Sequence, residues 1–161
     1  MGGIWVQLKL SKNFTMQAEL TQIGKGIGLG MKQARYGDYW LNLNYFEVPI
    51  LFQYNRKKTF VEFGPSIAAL INTGEYTRGG ILPYQEDLYP FSNKDLSFNI
   101  GTGYVFSEKW RVGLRLSHSL LPVRRQLPLA NMPVYNRGII FALCRTINLK
   151  ALSTKHKEAE E

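Results

Sequence analysis

The sequence predicts an all-β chain folded as an antiparallel up-and-down transmembrane β-barrel, with seven strands present of about eight. Two observations carry that expectation. The first is the sorting of connections by length. Ser11-Lys12-Asn13, Asn55-Arg56-Lys57-Lys58 and Ser107-Glu108-Lys109 are tight polar turns, and they alternate with long connections at 25–39, 73–95 and 121–136. Outer-membrane barrels alternate short periplasmic turns with long external loops. A soluble sandwich has no reason to do so. The second observation is that the segments between these connections alternate apolar with polar residues, the period of a strand with two unlike faces.

Each strand follows from that alternation. In the first, Ile4, Val6, Leu8 and Leu10 share one face, and Trp5, Gln7 and Lys9 the other. The second opposes Phe14, Met16, Ala18 and Leu20 to Thr15, Gln17, Glu19 and Thr21. In the third, Phe46, Val48, Ile50, Phe52 and Tyr54 point outward, and Tyr45, Glu47, Pro49, Leu51 and Gln53 inward. The fourth sets Val61, Phe63, Ile67, Ala69 and Ile71 against Glu62, Gly64, Ser66 and Ala68. Leu96, Phe98, Ile100, Tyr104 and Phe106 form one face of the fifth, with Ser97, Asn99, Gly101 and Gly103 behind them. The sixth opposes Trp110, Val112, Leu114, Leu116 and Leu120 to Arg111, Gly113, Arg115, Ser117 and Ser119. The seventh, at 137–147, alternates less cleanly, with Ile139, Phe141 and Leu143 against Gly138, Ala142 and Cys144. Segments of about 9–11 residues cross a bilayer when tilted. Pro49 lacks a ladder donor, so a bulge or local edge is expected there.

Composition fits this solvent. No run approaches the roughly 18 apolar residues of a transmembrane helix. Mean hydropathy is −0.19 because outward apolar and inward polar residues average out. Nine Tyr, nine Phe and three Trp supply the aromatic girdles of a barrel. The net charge of +8 reads as solvated turns and loops, or as attraction to anionic headgroups or polyanions. The basic residues form no helical stripe or recognition motif, so nucleic acid is not an expected partner. A lone Cys144 forms no intrachain disulfide. The barrel domain is expected over 1–150, with a charged, disordered tail at 151–161. Strand parity adds one expectation. With both the first and last strands descending, the barrel needs one ascending strand, expected upstream together with a signal peptide.

At Asn44-Tyr45-Phe46-Glu47-Val48-Pro49-Ile50-Leu51 the pattern becomes more specific. It resembles the PorT-like outer-membrane β-barrel family, whose members carry a similar strand there. Glu19-Leu20 followed by Ile23-Gly24-Lys25-Gly26, then Phe63-Gly64-Pro65, Gly101-Thr102-Gly103-Tyr104 and Arg115-Leu116-Ser117-His118-Ser119-Leu120 are similar to family segments in the same order. The resemblance spans residues 3–147 and implies an outer-membrane location. It implies no common activity: one member is linked to protein secretion, and that role is not carried over. The last strand ends Cys144-Arg145-Thr146-Ile147, without the aromatic terminus common in such barrels.

The inward charges Glu47, Glu62, Arg111 and Arg115 are read as a structural lumen network, because buried charge must be paired. A proton or ion relay is the competing reading. Gly64, Gly101, Gly103 and Gly113 make room for these long side chains. Phe46, Val48, Ile50, Phe63, Ile67, Phe98, Leu114 and Phe141 are expected to face lipid. His118 lies between Ser117 and Ser119, but strand neighbours point to opposite faces, beyond the hydrogen-bond reach that a nucleophile and its base require. No catalytic residue is assigned. The alternating Gly24, Gly26, Gly28 and Gly30 fit neither phosphate-binding fingerprint and are read as strand bending or a flexible rim. Two His and one Cys, unclustered, indicate no metal site, and no cofactor is expected. The leading expectation is a small non-enzymatic outer-membrane barrel with a filled lumen. Its partners are outer-membrane lipid and a protein met at the loops 25–39, 73–95 and 121–136. An outer-membrane lipid-modifying enzyme and a soluble lipocalin-like barrel are the alternatives; the latter would turn Phe46, Ile50, Phe98 and Leu114 inward.

Overall fold

The computed structural model describes residues 2–29, 39–77, 80–81, 90–124 and 133–146. They form one antiparallel sheet and contain no helix. The strands are β1 (Gly2–Lys9), β2 (Phe14–Leu29), β3 (Tyr39–Arg56), β4 (Thr59–Thr77), β5 (Gly80–Ile81), β6 (Lys94–Val105), β7 (Trp110–Ser119) and β8 (Arg137–Arg145). Their spatial order is β1-β2-β3-β4-β6-β7-β8, and the two-residue β5, which the sequence reading did not anticipate, pairs with the end of β4. Nearest neighbours in sequence pair through tight turns at one end and long connections at the other, as period-two segments joined by turn residues require.

The alternation anticipated from sequence is the alternation observed. Along β3, Tyr45, Glu47, Pro49, Leu51 and Gln53 are buried, while Phe46, Val48, Ile50, Phe52 and Tyr54 are exposed. The pattern repeats on β4, β6 and β7 with the apolar face outward. The sheet curls around its polar face. Arg111 and Arg115 on β7 reach residues of β1 and β2 across the interior.

Strand ends differ from expectation. Residues 25–29, Tyr39, 73–77 and 94–95 were placed in loops, yet β2 continues to Leu29 and β4 to Thr77, each paired with β3, while β3 begins at Tyr39 and β6 at Lys94. Regular ladder bonds hold the glycine-rich stretch through Leu29 extended, so that part is neither a bend nor a loose rim. The rest of the expected loops falls largely on 30–38, 82–89 and 125–132, outside the described residues, as does the expected 151–161 tail. The register shift lies at Asn44–Tyr45 rather than at Pro49. At Pro49 the ladders thin instead: Glu19 and Leu20 lack a β3 ladder partner, Ile50 and Leu51 lack one on β4, and the register beyond is unchanged.

Among the described residues β1 and β8 each pair with a single neighbour. Both run from the long-connection end to the tight-turn end, so these two edges are parallel to each other.

Candidate functional site

The interior holds the chemistry of this chain, and it is built in layers. Nearest the tight turns is an amide layer. Gln7 Nε2 donates to Gln17 Oε1 (2.8 Å) and to Gln53 Oε1 (2.7 Å), joining β1, β2 and β3. Arg111 enters this layer from β7. Its Nη2 donates to Gln7 Oε1 at 2.8 Å and its Nη1 to Gln17 Oε1 at 3.1 Å. The guanidinium lies 4.3 Å from the Trp5 ring centroid and 5.8 Å from that of Phe60, within cation–π range. Among the described residues Arg111 forms no ion pair.

The next layer is ionic. Arg115 donates through Nε to Glu62 Oε1 (2.8 Å) and through Nη1 and Nη2 to Glu19 Oε2 (3.0 Å) and Oε1 (2.7 Å). One guanidinium thus ties β7 to β4 on one side and to β2 across the interior. Gln17 Nε2 donates to Glu19 Oε1 (2.6 Å) and Gln53 Nε2 to Glu62 Oε2 (2.8 Å), so both carboxylates are held by the amide layer as well. Gly101 makes the space for this pair. It sits opposite both Glu62 and Arg115, and a Cβ there would lie 3.0 Å from Glu62 Oε1. Gly103 does the same for Phe60, whose ring edge a Cβ at that position would overlap.

A second ionic layer lies toward the long connections. Lys25 Nζ sits 2.9 Å from Glu47 Oε2 and 3.1 Å from Asp95 Oδ2. Its contact with Glu47 is electrostatic, since Glu47 Oε2 has no partner of hydrogen-bonding geometry. Ser66 Oγ donates to Glu47 Oε1 (2.5 Å) and Ser119 Oγ to Asp95 Oδ1 (2.7 Å). Asn136 Nδ2 donates to Asp95 Oδ2 (2.9 Å) and to Tyr45 Oη (3.2 Å). Ile23, Leu43, Tyr45, Ala68, Phe91 and Ile140 form an apolar cluster in the interior, with Ala68 opposite Glu47 and Leu43 opposite Lys25.

The four charges singled out from sequence therefore separate. Glu62 and Arg115 pair, Glu47 pairs with Lys25, and Arg111 binds amides and aromatic faces. Sequence reasoning missed three participants. Glu19 was placed on the inward face without a partner, and Lys25 and Asp95 were assigned to loops. Their signal was parity. Glu19, Thr21, Ile23 and Lys25 continue one face of β2, and Asp95, Ser97 and Asn99 one face of β6.

The outer wall is apolar. Phe46, Val48, Ile50, Phe63, Ile67, Phe98, Leu114 and Phe141 are all exposed on the convex face. His118 belongs to that face, its ring stacked on Tyr135 at 6.1 Å, whereas Ser117 and Ser119 are buried within. Among the described residues no group of His, Cys, Asp and Glu could hold a metal ion. Near the long connections a cavity of about 1150 Å³ opens between Phe46, Ile67, Phe91, Leu96, Leu121 and Val123.

A family model described as "Outer membrane protein beta-barrel domain" matches residues 1–124. No curated protein and no solved structure matches the chain.

Proposed function

This chain belongs to the outer membrane protein beta-barrel domain family and resides in the outer membrane, and from that premise we propose that it is a non-enzymatic wall protein with a plugged lumen. The observation that carries this reading is Arg115. It spans the interior from β7 to Glu19 on β2 and Glu62 on β4, in the space an aqueous pore would occupy. In a barrel of about eight strands, side chains suffice to fill the interior. The exposed convex face, Phe46 to Phe141, then meets hydrocarbon, and the long connections meet other molecules.

Two finer points belong to the same reading. The motifs from Asn44–Leu51 to Arg115–Leu120 support reading the chain as a PorT-like barrel. The wall is also completed by one further ascending strand between β1 and β8. Unpaired backbone groups are not tolerated in hydrocarbon, and two parallel edges accept one antiparallel strand between them, whereas they cannot pair with each other in that sense. An enzymatic reading is disfavoured by His118, which points away from both neighbouring serines. A soluble lipocalin is disfavoured by Phe46, Ile50, Phe98 and Leu114, which point outward.

The test is conductance. Planar-bilayer recordings of the full-length protein are expected to show no large stable channel. Reproducible openings on the nanosiemens scale would overturn the plugged-lumen reading.

A further inference from the structure

The tight-turn end carries a concentration of positive charge. Lys9 and Lys12 flank the first turn, Arg56, Lys57 and Lys58 make the second, Lys109 lies in the third, and Arg145 ends β8. All are exposed, and the only acidic residue in these turns is Glu108. None takes part in an ion pair among the described residues. Backbone hydrogen bonds hold the turns level with one another. Asn55 N donates to Asn13 O (2.7 Å), Val105 N to Lys58 O (2.7 Å) and Thr146 N to Lys109 O (2.7 Å). The cations therefore form a rim rather than scattered points.

One independent feature says where that rim lies. Just inside it, Phe14, Tyr54, Tyr104, Phe106 and Trp110 are exposed on the outer wall, with Phe14 and Tyr54 in ring contact at 5.2 Å. Aromatic girdles of this kind mark the membrane–water interface, so the cations beyond them stand at headgroup level. Within the rim, Lys57 is the one described non-glycine residue with positive φ (54°). Glycine or asparagine suits such a turn position without strain. A lysine there keeps charge at a conformational cost.

We propose that this rim is a binding surface for anionic phospholipid headgroups in the adjoining leaflet. Several exposed ammonium groups beside a girdle act as a polybasic segment does at a membrane surface, each adding attraction that salt screens. The proposal rests on the membrane reading above, and its test separates the two.

The full-length protein is reconstituted in phosphatidylcholine vesicles, and the boundary association of spin-labelled phosphatidylglycerol is compared with that of spin-labelled phosphatidylcholine. At low salt the anionic lipid is expected to associate about three-fold more strongly, with the ratio approaching unity near 1 M salt, where the Debye length is about 3 Å. Joint replacement Lys9→Gln, Lys12→Gln, Arg56→Gln, Lys57→Gln, Lys58→Gln, Lys109→Gln and Arg145→Gln removes the preference. Lys57→Gly with Lys58→Asn, a turn sequence the backbone favours, keeps the fold and lowers the preference in part. Equal association of the two lipids overturns the proposal, as does a preference that survives the replacements. Failure to insert into any vesicle overturns the membrane reading itself.

Discussion

Replacing Arg115 with methionine removes the cation that serves two buried carboxylates. Its side chain and that of Glu19 are each 8 % exposed, and that of Glu62 is 4 % exposed. Breaking a buried pair by deleting one partner costs about 3–5 kcal/mol, because the remaining charge is left without compensation. The cost is not doubled here. Glu19 keeps its bond from Gln17 at 2.6 Å and Glu62 its bond from Gln53 at 2.8 Å. Arg115→Met is therefore expected to lower stability by about 3–5 kcal/mol in total. Adding Glu19→Gln and Glu62→Gln removes the stranded charges and should restore more than half of that loss. Glu19 receives two N–H bonds from the guanidinium and Glu62 one, so the cycle with Glu19 should show the larger coupling. Arg111→Met is the control. It leaves no carboxylate without its cation in the described interior, and it should cost about 1.5–3 kcal/mol for each of the two hydrogen bonds lost, whose donor is charged. The assay is urea unfolding from lipid vesicles followed by tryptophan fluorescence, with every combination measured. Coupling energies near zero for both carboxylates, or a coupling of Arg111→Met to Glu19→Gln or Glu62→Gln as large as that of Arg115→Met, would refute the reasoning and point to a solvated lumen.

Other substitutions probe other parts of the wall. Ile50→Arg places a charge on the outward face in mid-strand and should cost about 2–4 kcal/mol in lipid; a change within error in the same unfolding assay would show that this face does not meet hydrocarbon. Gly103→Ala brings a Cβ into the Phe60 ring edge and should cost about 1–3 kcal/mol as overpacking, whereas Gly138→Ala, with open space around it, should be close to neutral. Lys57→Gly relieves a left-handed backbone and should stabilise by about 1 kcal/mol, measurable as a raised urea midpoint at unchanged slope.

The faces of the strands were legible because the apolar side is nearly unbroken along β3, β4, β6 and β7. A one-residue slip would have reversed every residue at once. Pairing across the interior was not legible. Period two says that Glu19 and Arg115 both point inward, but the curl that brings β7 within reach of β2 is a property of the whole sheet. Strand ends were misplaced for a related reason. Glycines from Gly24 onward weaken the alternation, so the ladder with β3, which continues regardless, left little trace in composition. Lys25 and Asp95 were lost with those boundaries.

The separation along the chain of the groups that meet in the lumen bears on assembly. Arg111 and Gln7 are 104 positions apart, and Arg115 and Glu19 are 96 apart. Hairpins close within microseconds because their contacts are local, whereas contacts of long sequence separation wait for the chain to come together. A β1–β2 or β6–β7 hairpin entering hydrocarbon by itself would carry Glu19 or Arg115 without its counter-charge, at a cost of several kcal/mol. Stepwise threading of finished hairpins is therefore the expensive route. Curling and insertion proceed together, and the slow event in assembly is the meeting of chain segments about a hundred residues apart, timed by topology rather than by the intrinsic rate at which any one strand forms.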